Sequence, residues 1–243
     1  MRTVAATLWF CWLTASPVLA QEKAEDDPII GVKRMSEWKT LLADKDVNVR
    51  VRAERGLGRV GPVAIPSIIR IFHSESRLVR DGASRALAKI GAKAVPSLIA
   101  ALEDEEWRVR EGAAYGLAYV SWAARSAVPT LSERLADENA GVRREAANAL
   151  TQIARNARSA RPALIELGVP ALIKSLADKD DAVRWRAAEA LGRIGPGAKA
   201  AVPALMQALG DSDYSVRFRT ADALGKIGSL DVPALIAMLK HKD

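Results

Sequence analysis

Thiols, histidines and aromatic rings are all scarce in this 243-residue chain, and each scarcity closes off a class of chemistry. There is one cysteine, Cys11, there are two histidines, His73 and His241, and aromatic residues make up 5%. Cys11 lies in an apolar amino-terminal stretch, so the rest of the chain carries no thiol and offers neither thiol catalysis nor disulfides. Neither histidine has a second plausible ligand beside it, nor a serine for which it could act as base. A metal centre and a serine nucleophile are therefore not expected. Beyond the first twenty residues no apolar run is long enough to span a bilayer. A dominant sign of charge is missing too. Lys and Arg number 36 against 29 acids, a net charge of +7, and both signs alternate along the chain. That pattern fits a solvated mixed surface better than a dedicated polyanion-binding face.

The amino terminus has the layout of a secretory signal. Met1-Arg2 is basic, Val4 to Leu13 is apolar, and Val18-Leu19-Ala20 offers a cleavage site before Gln21. Residues 1–20 are read as a signal peptide and 21–35 as a linker, which directs the chain to the periplasm or the extracellular space. Bulky Trp9-Phe10 before Cys11 argue against a lipid anchor.

What the chain has in abundance is repetition. A Val-Arg pair recurs at Val49-Arg50, Val79-Arg80, Val109-Arg110, Val142-Arg143, Val183-Arg184 and Val216-Arg217. A proline opens each following unit, at Pro66, Pro96, Pro129, Pro170, Pro203 and Pro233. A period of 30–41 residues marks a stacked solenoid. Three residues before each valine stand Asp46, Ser76, Glu106, Asn139, Asp180 and Asp213, five of which are good helix N-caps. From the valine onward, apolar residues recur at helical spacing, as in Val183, Ala187, Leu191 and Ile194. Gly61, Gly91, Gly195 and Gly228 then supply left-handed stops. The next helix opens on the proline, tolerated in a first turn, and buries a stripe such as Leu172, Ile173 and Leu176. Small residues beside the stripe, among them Ala188, Gly192 and Gly225, allow neighbouring helices to approach closely. The expectation is an all-α, right-handed superhelix of six helix pairs plus a final half repeat. Its units run over about 36–65, 66–95, 96–128, 129–169, 170–202 and 203–232, with the half repeat at 233–243.

The pattern Pro170-Ala-Leu-Ile, Asp178-x-Asp180-x-x-Val-Arg, Ala187-Ala-x-Ala-Leu-Gly-x-Ile-Gly195 resembles the HEAT repeat, and more narrowly the type found in phycobilisome-lyase-like proteins. The resemblance spans residues 36–243. It implies a structural ladder of arginines (Arg50, Arg80, Arg110, Arg143, Arg184 and Arg217) joined to aspartates (Asp44, Asp104, Asp137, Asp178 and Asp211). The second repeat departs from it, with Ser74 at the aspartate's place. It also implies that the second helix of each pair lines the concave surface. On that surface fall Val51/Arg55/Arg59, Asp81/Arg85/Lys89, Glu111/Tyr115/Tyr119, Arg144/Asn148/Gln152, Trp185/Glu189/Arg193 and Phe218/Asp222/Lys226.

Several motifs lose their meaning in this frame. Gly56-Leu-Gly58-Arg-Val-Gly61 spells a dinucleotide fingerprint, but it lies at a helix end rather than between a strand and a helix. Asp44-Lys-Asp46 begins like a calcium loop and lacks its glycine and terminal glutamate. Deoxyhypusine hydroxylase uses similar repeats but holds iron through His-Glu pairs, and this chain has none. No enzyme, no cofactor and no metal are expected. The expected function is an exported scaffold binding a protein or peptide, of acidic character, along the concave surface. Trp107, Tyr115, Tyr119, Trp185 and Phe218 are the candidate anchors, and Arg55, Arg59, Arg85 and Arg193 the steering cations. The insert Arg155–Arg161 is a further candidate contact, as loops often are. A phycobilin-lyase-like, chromophore-handling protein is the alternative. A nucleic-acid-binding HEAT-like protein is disfavoured by export, and no stable membrane insertion is expected after cleavage.

Overall fold

A computed structural model of the chain describes residues 27–156 and 158–228. The signal peptide expected at 1–20 and the half repeat expected at 233–243 lie outside the described residues. The described part opens with a two-stranded antiparallel ribbon, β1 (Ile29–Ile30) and β2 (Lys33–Arg34). Residues 27–34 had the look of linker, yet they close the first end of the helical stack. Ile30 is buried, the Trp38 indole donates to its carbonyl at 2.9 Å, and the Met35 amide donates to that of Pro28.

Helix pairs follow one another from there: α1 (Met35–Leu42) with α2 (Val47–Val60), α3 (Ile65–Arg70) with α4 (Arg77–Ile90), and α5 (Val95–Ala101) with α6 (Trp107–Tyr119). Next come α7 (Val128–Arg134) with α8 (Ala140–Asn156), α9 (Val169–Ser175) with α10 (Asp181–Ile194), and α11 (Val202–Ala208) with α12 (Tyr214–Ile227). The fold is an all-α solenoid of stacked helix pairs. α3, α5, α7, α9 and α11 each start one residue before their proline, which occupies the second helical position. It costs no hydrogen bond there, because the first four amides of a helix have no partner inside it.

Four of the six expected caps bond through their side chains: Asp46 accepts from the Asn48 amide, Asn139 from Gly141, Asp180 from Val183 and Asp213 from Val216. Ser76 and Glu106 make no such bond, and the Glu106 carboxylate turns to Arg108 instead. The glycine stops need a correction. Only Gly228 is left-handed (φ 80°, ψ 29°), whereas Gly61, Gly91 and Gly195 pair positive φ with ψ between −138° and −160°. That basin is closed to side chains, so glycine is required for a different reason: the chain leaves the helix in extended form, heading into a 3₁₀ turn.

Second helices pack side by side along the whole array, while the shorter first helices touch one another far less, which fits a stack whose second helices lie on the inner side. Tight approach is visible at Gly192, where an added Cβ would stand 2.9 Å from the Ala223 Cα of the next second helix. The core is continuous through the stack; Val183, Ala187, Leu191 and Ile194 are all buried, as are their counterparts from the third pair onward, while Val49, Val60 and Ile90 in the first two pairs are only half-buried. The long fourth unit comes from helix extension. α8 runs to 17 residues, and α9 is preceded by a single turn, Arg161–Ala163, and a π-helical turn, Leu164–Gly168.

Candidate interaction surface

Each repeat arginine is held first by its own loop. One guanidinium nitrogen donates to the two carbonyls five and six residues earlier, so that Arg143 holds Glu138 and Asp137, and Arg217 holds Ser212 and Asp211. The remaining donors reach into the next unit. Arg110 bonds Asp137 at 2.8 and 3.0 Å, Arg143 bonds Asp178 at 2.7 and 2.9 Å, and Arg184 bonds Asp211 at 2.7 and 2.9 Å. These are two-pronged, charge-assisted pairs, the strongest arrangement available to the two groups. The same aspartates accept the amide two residues on, as in Asn139 to Asp137, which pins the loop.

Asp44 and Asp104 receive no arginine from a neighbouring unit; they accept only the amides of Asp46 and Glu106. Arg80 takes Glu111 at 2.8 Å in place of Asp104, because Glu111 reaches it from the following second helix. Glu111 is thus buried and paired rather than exposed on the groove. Arg50, facing Ser74, bonds its own loop alone among the described residues. Burial pushes the Asp178 and Asp211 carboxyls up, but the bonds and charges of Arg143 and Arg184 outweigh it and hold both below the usual carboxylate range.

On the concave face the predicted cations divide. Arg85 is spent on Glu54 at 2.8 Å and Arg193 on Glu189 at 3.6 Å, while Arg55 and Arg59 stand exposed without a carboxylate partner among the described residues. The predicted aromatics divide as well. Trp107 is half-buried between the guanidinium groups of Arg80 and Arg108, at 5.6 and 4.8 Å. Trp185 is half-buried under Arg186 at 4.2 Å, with Arg219 at 5.8 Å from both Trp185 and Phe218. Phe218 is 54% exposed and stacks on Tyr214, itself 70% exposed. Tyr115 and Tyr119 meet edge to face at 5.1 Å, with their hydroxyls 3.1 Å apart.

Sequence reasoning missed the partners of these groups. Glu54, Glu111, Glu145 and Glu189 are the carboxylates that take up concave-face arginines, and only their placement on second helices signalled it. Exposed Trp122 also escaped notice, on the 3₁₀ turn Ser121–Ala127. The Arg155–Arg161 insert contributes exposed Arg155, Arg158 and Arg161, which make no ion pair among the described residues. No group of three or more His, Cys, Asp or Glu converges as a metal site among the described residues, and no described helix is long and apolar enough to cross a membrane.

Compared with known families, the chain matches the model described as HEAT repeats over residues 35–118, 95–168 and 169–243. Among solved structures it is similar to an engineered protein at 26% identity and a TM-score of 0.56, over 80% of this chain and 96% of that one. A designed armadillo repeat protein in complex with the peptide (KR)4 aligns at 20% identity and a TM-score of 0.55, over 79% of this chain and 99% of that one. The complex of CpcE and CpcF of phycocyanin lyase from Nostoc sp. PCC7120 aligns at 24% identity and a TM-score of 0.57, over 66% of this chain and 98% of that one. No curated protein matches.

Proposed function

Because the chain belongs to the HEAT-repeat family across residues 35–243, we propose that it is an exported, non-catalytic scaffold that binds an acidic protein or peptide segment along its concave face. In this reading it is a right-handed superhelix of six helix pairs with a further half pair at 233–243. The observation that carries it is the presence of both exposed rings and unspent cations along the second-helix row. Tyr119, Phe218 and Tyr214 are 48%, 54% and 70% exposed, and Arg55 and Arg59 have no acid to satisfy them among the described residues. Aromatic side chains and arginine supply most of the energy in protein interfaces, and free cations steer an acidic segment toward them. Arg85 and Arg193, already paired, act as framework in this reading, and Trp107 and Trp185 as covered flanks rather than anchors.

The test is capture of partners by the immobilised full chain, beside a Tyr214→Ala/Phe218→Ala variant and an Arg55→Ala/Arg59→Ala variant, each checked by circular dichroism. The expected result is a partner held by the wild type, lost by the aromatic variant and weakened by the arginine variant in a salt-dependent way. Equal capture by all three removes the concave face as the site. Export is tested separately, by fractionating cells and sequencing the amino terminus of the product, which is expected to begin at Gln21.

A further inference from the structure

Between α6 and α8, at the middle of the concave face, lies a hollow of about 360 Å³ whose lining contains no charged side chain. Tyr115, Tyr119 and Ser121 stand on one wall and Asn148, Gln152 and Asn156 on the other, with Ala118 at the base. All six polar groups can both donate and accept a hydrogen bond. Most of that capacity is unspent. The Gln152 amide has no partner among the described residues, while Asn148 and Asn156 have each committed one amide hydrogen, to Glu145 and to Ser121. Burial and the neighbouring Tyr119 hydroxyl push the Tyr115 phenol well above its usual range, so it remains a proton donor at any physiological pH.

We propose that this hollow is a saccharide-binding site, taking an uncharged ligand rich in hydroxyl groups. Three features select that class. The charges around the hollow are already engaged, Glu145 and Asp81 by the shared Arg77 at 3.3 and 3.9 Å, Glu111 by Arg80 at 2.8 Å and Arg85 by Glu54 at 2.8 Å, and none of them is in its lining, so an ionic ligand finds no free counter-charge in it. Sugar hydroxyls donate and accept at once, as do the amides and hydroxyls around them, so each contact can be made in either sense. The two tyrosine rings stand at 83° to one another, and Tyr119, in the lining, is 48% exposed, so an aromatic ring face is available to a ligand. The positively polarised C–H faces of a pyranose ring pack on such a face. A strand of polypeptide fits less well. The bond from the Asn156 amide to Ser121, at 2.9 Å, ties the two walls together at their carboxy-terminal ends, so an extended strand lying lengthwise in the trough would meet this tie. The volume lies at the small end of ligand pockets, matching a compact unit of one or a few rings.

This site shares Tyr119 with the peptide surface proposed above, but Gln152, the oligosaccharide ligands and the Arg55 control each belong to one reading only, so the two can fail separately. The full chain is titrated with cellohexaose, maltohexaose and the hexamer of N-acetylglucosamine, and with an uncharged Ser-Asn-Thr hexapeptide, following binding by calorimetry. At least one oligosaccharide is expected to bind saturably. Tyr119→Ala and Gln152→Ala are each expected to weaken it about tenfold, the worth of one ring contact or one well-made hydrogen bond. Arg55→Ala should leave it unchanged. Tyr119→Phe, which keeps the ring and is the safer change for folding, should fall between wild type and Tyr119→Ala. The proposal is overturned if no oligosaccharide saturates by about 10 mM, if both alanine variants bind as well as wild type, or if the hexapeptide alone binds.

Discussion

A guanidinium carries five N–H donors, and Arg110, Arg143 and Arg184 divide theirs between a loop of their own unit and a carboxylate of the next. What each is worth depends on what its removal strands. Asp137 is buried to 2% at the side chain and Arg110 to 7%, whereas Arg184 and Asp211 keep 15% and 11%. Arg110→Ala therefore leaves a buried carboxylate with only the longer Arg134 contact, 3.8 Å, and the Asn139 amide, and is expected to cost about 3 kcal/mol. Arg184→Ala should cost less, about 2 kcal/mol, and denaturant melts of the two variants compare them directly. Their pH dependence has a definite sign. Asp178 and Asp211 titrate lower in the folded chain than in the unfolded one, so their stabilisation is complete above the ordinary carboxylate range and drains away as pH falls through it. Glu145 behaves oppositely. Burial raises its pKa, more than Asn148, Arg186 and Arg77 lower it, so ionising it costs stability as pH rises past the ordinary range. Glu145→Gln is expected to raise the melting temperature at pH 7, with the gain vanishing near pH 4, where the native carboxyl is protonated in both states. The repeat arginines were legible in the sequence as positions. Asp137, Asp178 and Asp211 were legible as their partners too, through the resemblance; that Arg80 would take Glu111 was not, because Glu111 lies at a second-helix position that holds no other glutamate in the array, and nothing local reveals its reach to Arg80.

Helices were the more readable level, since caps, prolines and stop glycines recur in phase with an apolar period. The misreadings were local: helix starts off by one residue at the prolines, and an extended exit where a left-handed one was expected. Both arise in the 3₁₀ turns between helices, whose geometry depends on stacking against the neighbouring pair rather than on their own residues. Stacking also sets the two element-level expectations. Gly192→Ala would place a methyl 2.9 Å from the Ala223 Cα and 3.1 Å from its Cβ, between two helices with no flexible side chain to yield. The expected loss is about 1–3 kcal/mol, although alanine is the better helix former; a gain in thermal stability would refute the close approach. Thr220 presents the reverse case. It fills the position held by Ala53, Ala83, Ala113, Ala146 and Ala187 in the other second helices, is fully buried, and its hydroxyl has no partner among the described residues. Thr220→Ala removes an unsatisfied hydroxyl and restores the repeat's residue, so the melting temperature is expected to hold or to rise by the equivalent of about 1 kcal/mol.

Across the whole molecule, stability in a solenoid is a sum of unit and interface contributions, so a defect at one junction stays near that junction. Reading the chain as a solenoid needed only the period. Finding its weak junction needed the coordinates, which show that the rungs are unevenly made. Junctions bridged by Arg110, Arg143 and Arg184 carry two-pronged pairs, the one bridged by Arg80 carries a single contact to Glu111, and the one at Arg50 carries none, because Ser74 stands in the carboxylate's place. The first helix pair thus has no ladder rung to the second and is tied to it by apolar packing and the single Glu54–Arg85 pair, and hydrogen exchange should show α1 and α2 opening before the central helices. Ser74→Asp supplies the missing group. Its carboxylate would lie where Asp137, Asp178 and Asp211 lie in their loops, able to accept from the Ser76 amide and from Arg50, whose other donors are already aligned by the carbonyls of Asp44 and Lys45. The pair would be partly solvated, so the expected gain is modest, about 1 kcal/mol. Its distribution is the sharper test. If the array is quasi-one-dimensional, slowed exchange should be confined to α1 through α4, with α8 to α12 unchanged. Uniform protection along the chain would mean that the helix pairs unfold as a single cooperative block and that no junction sets its own stability.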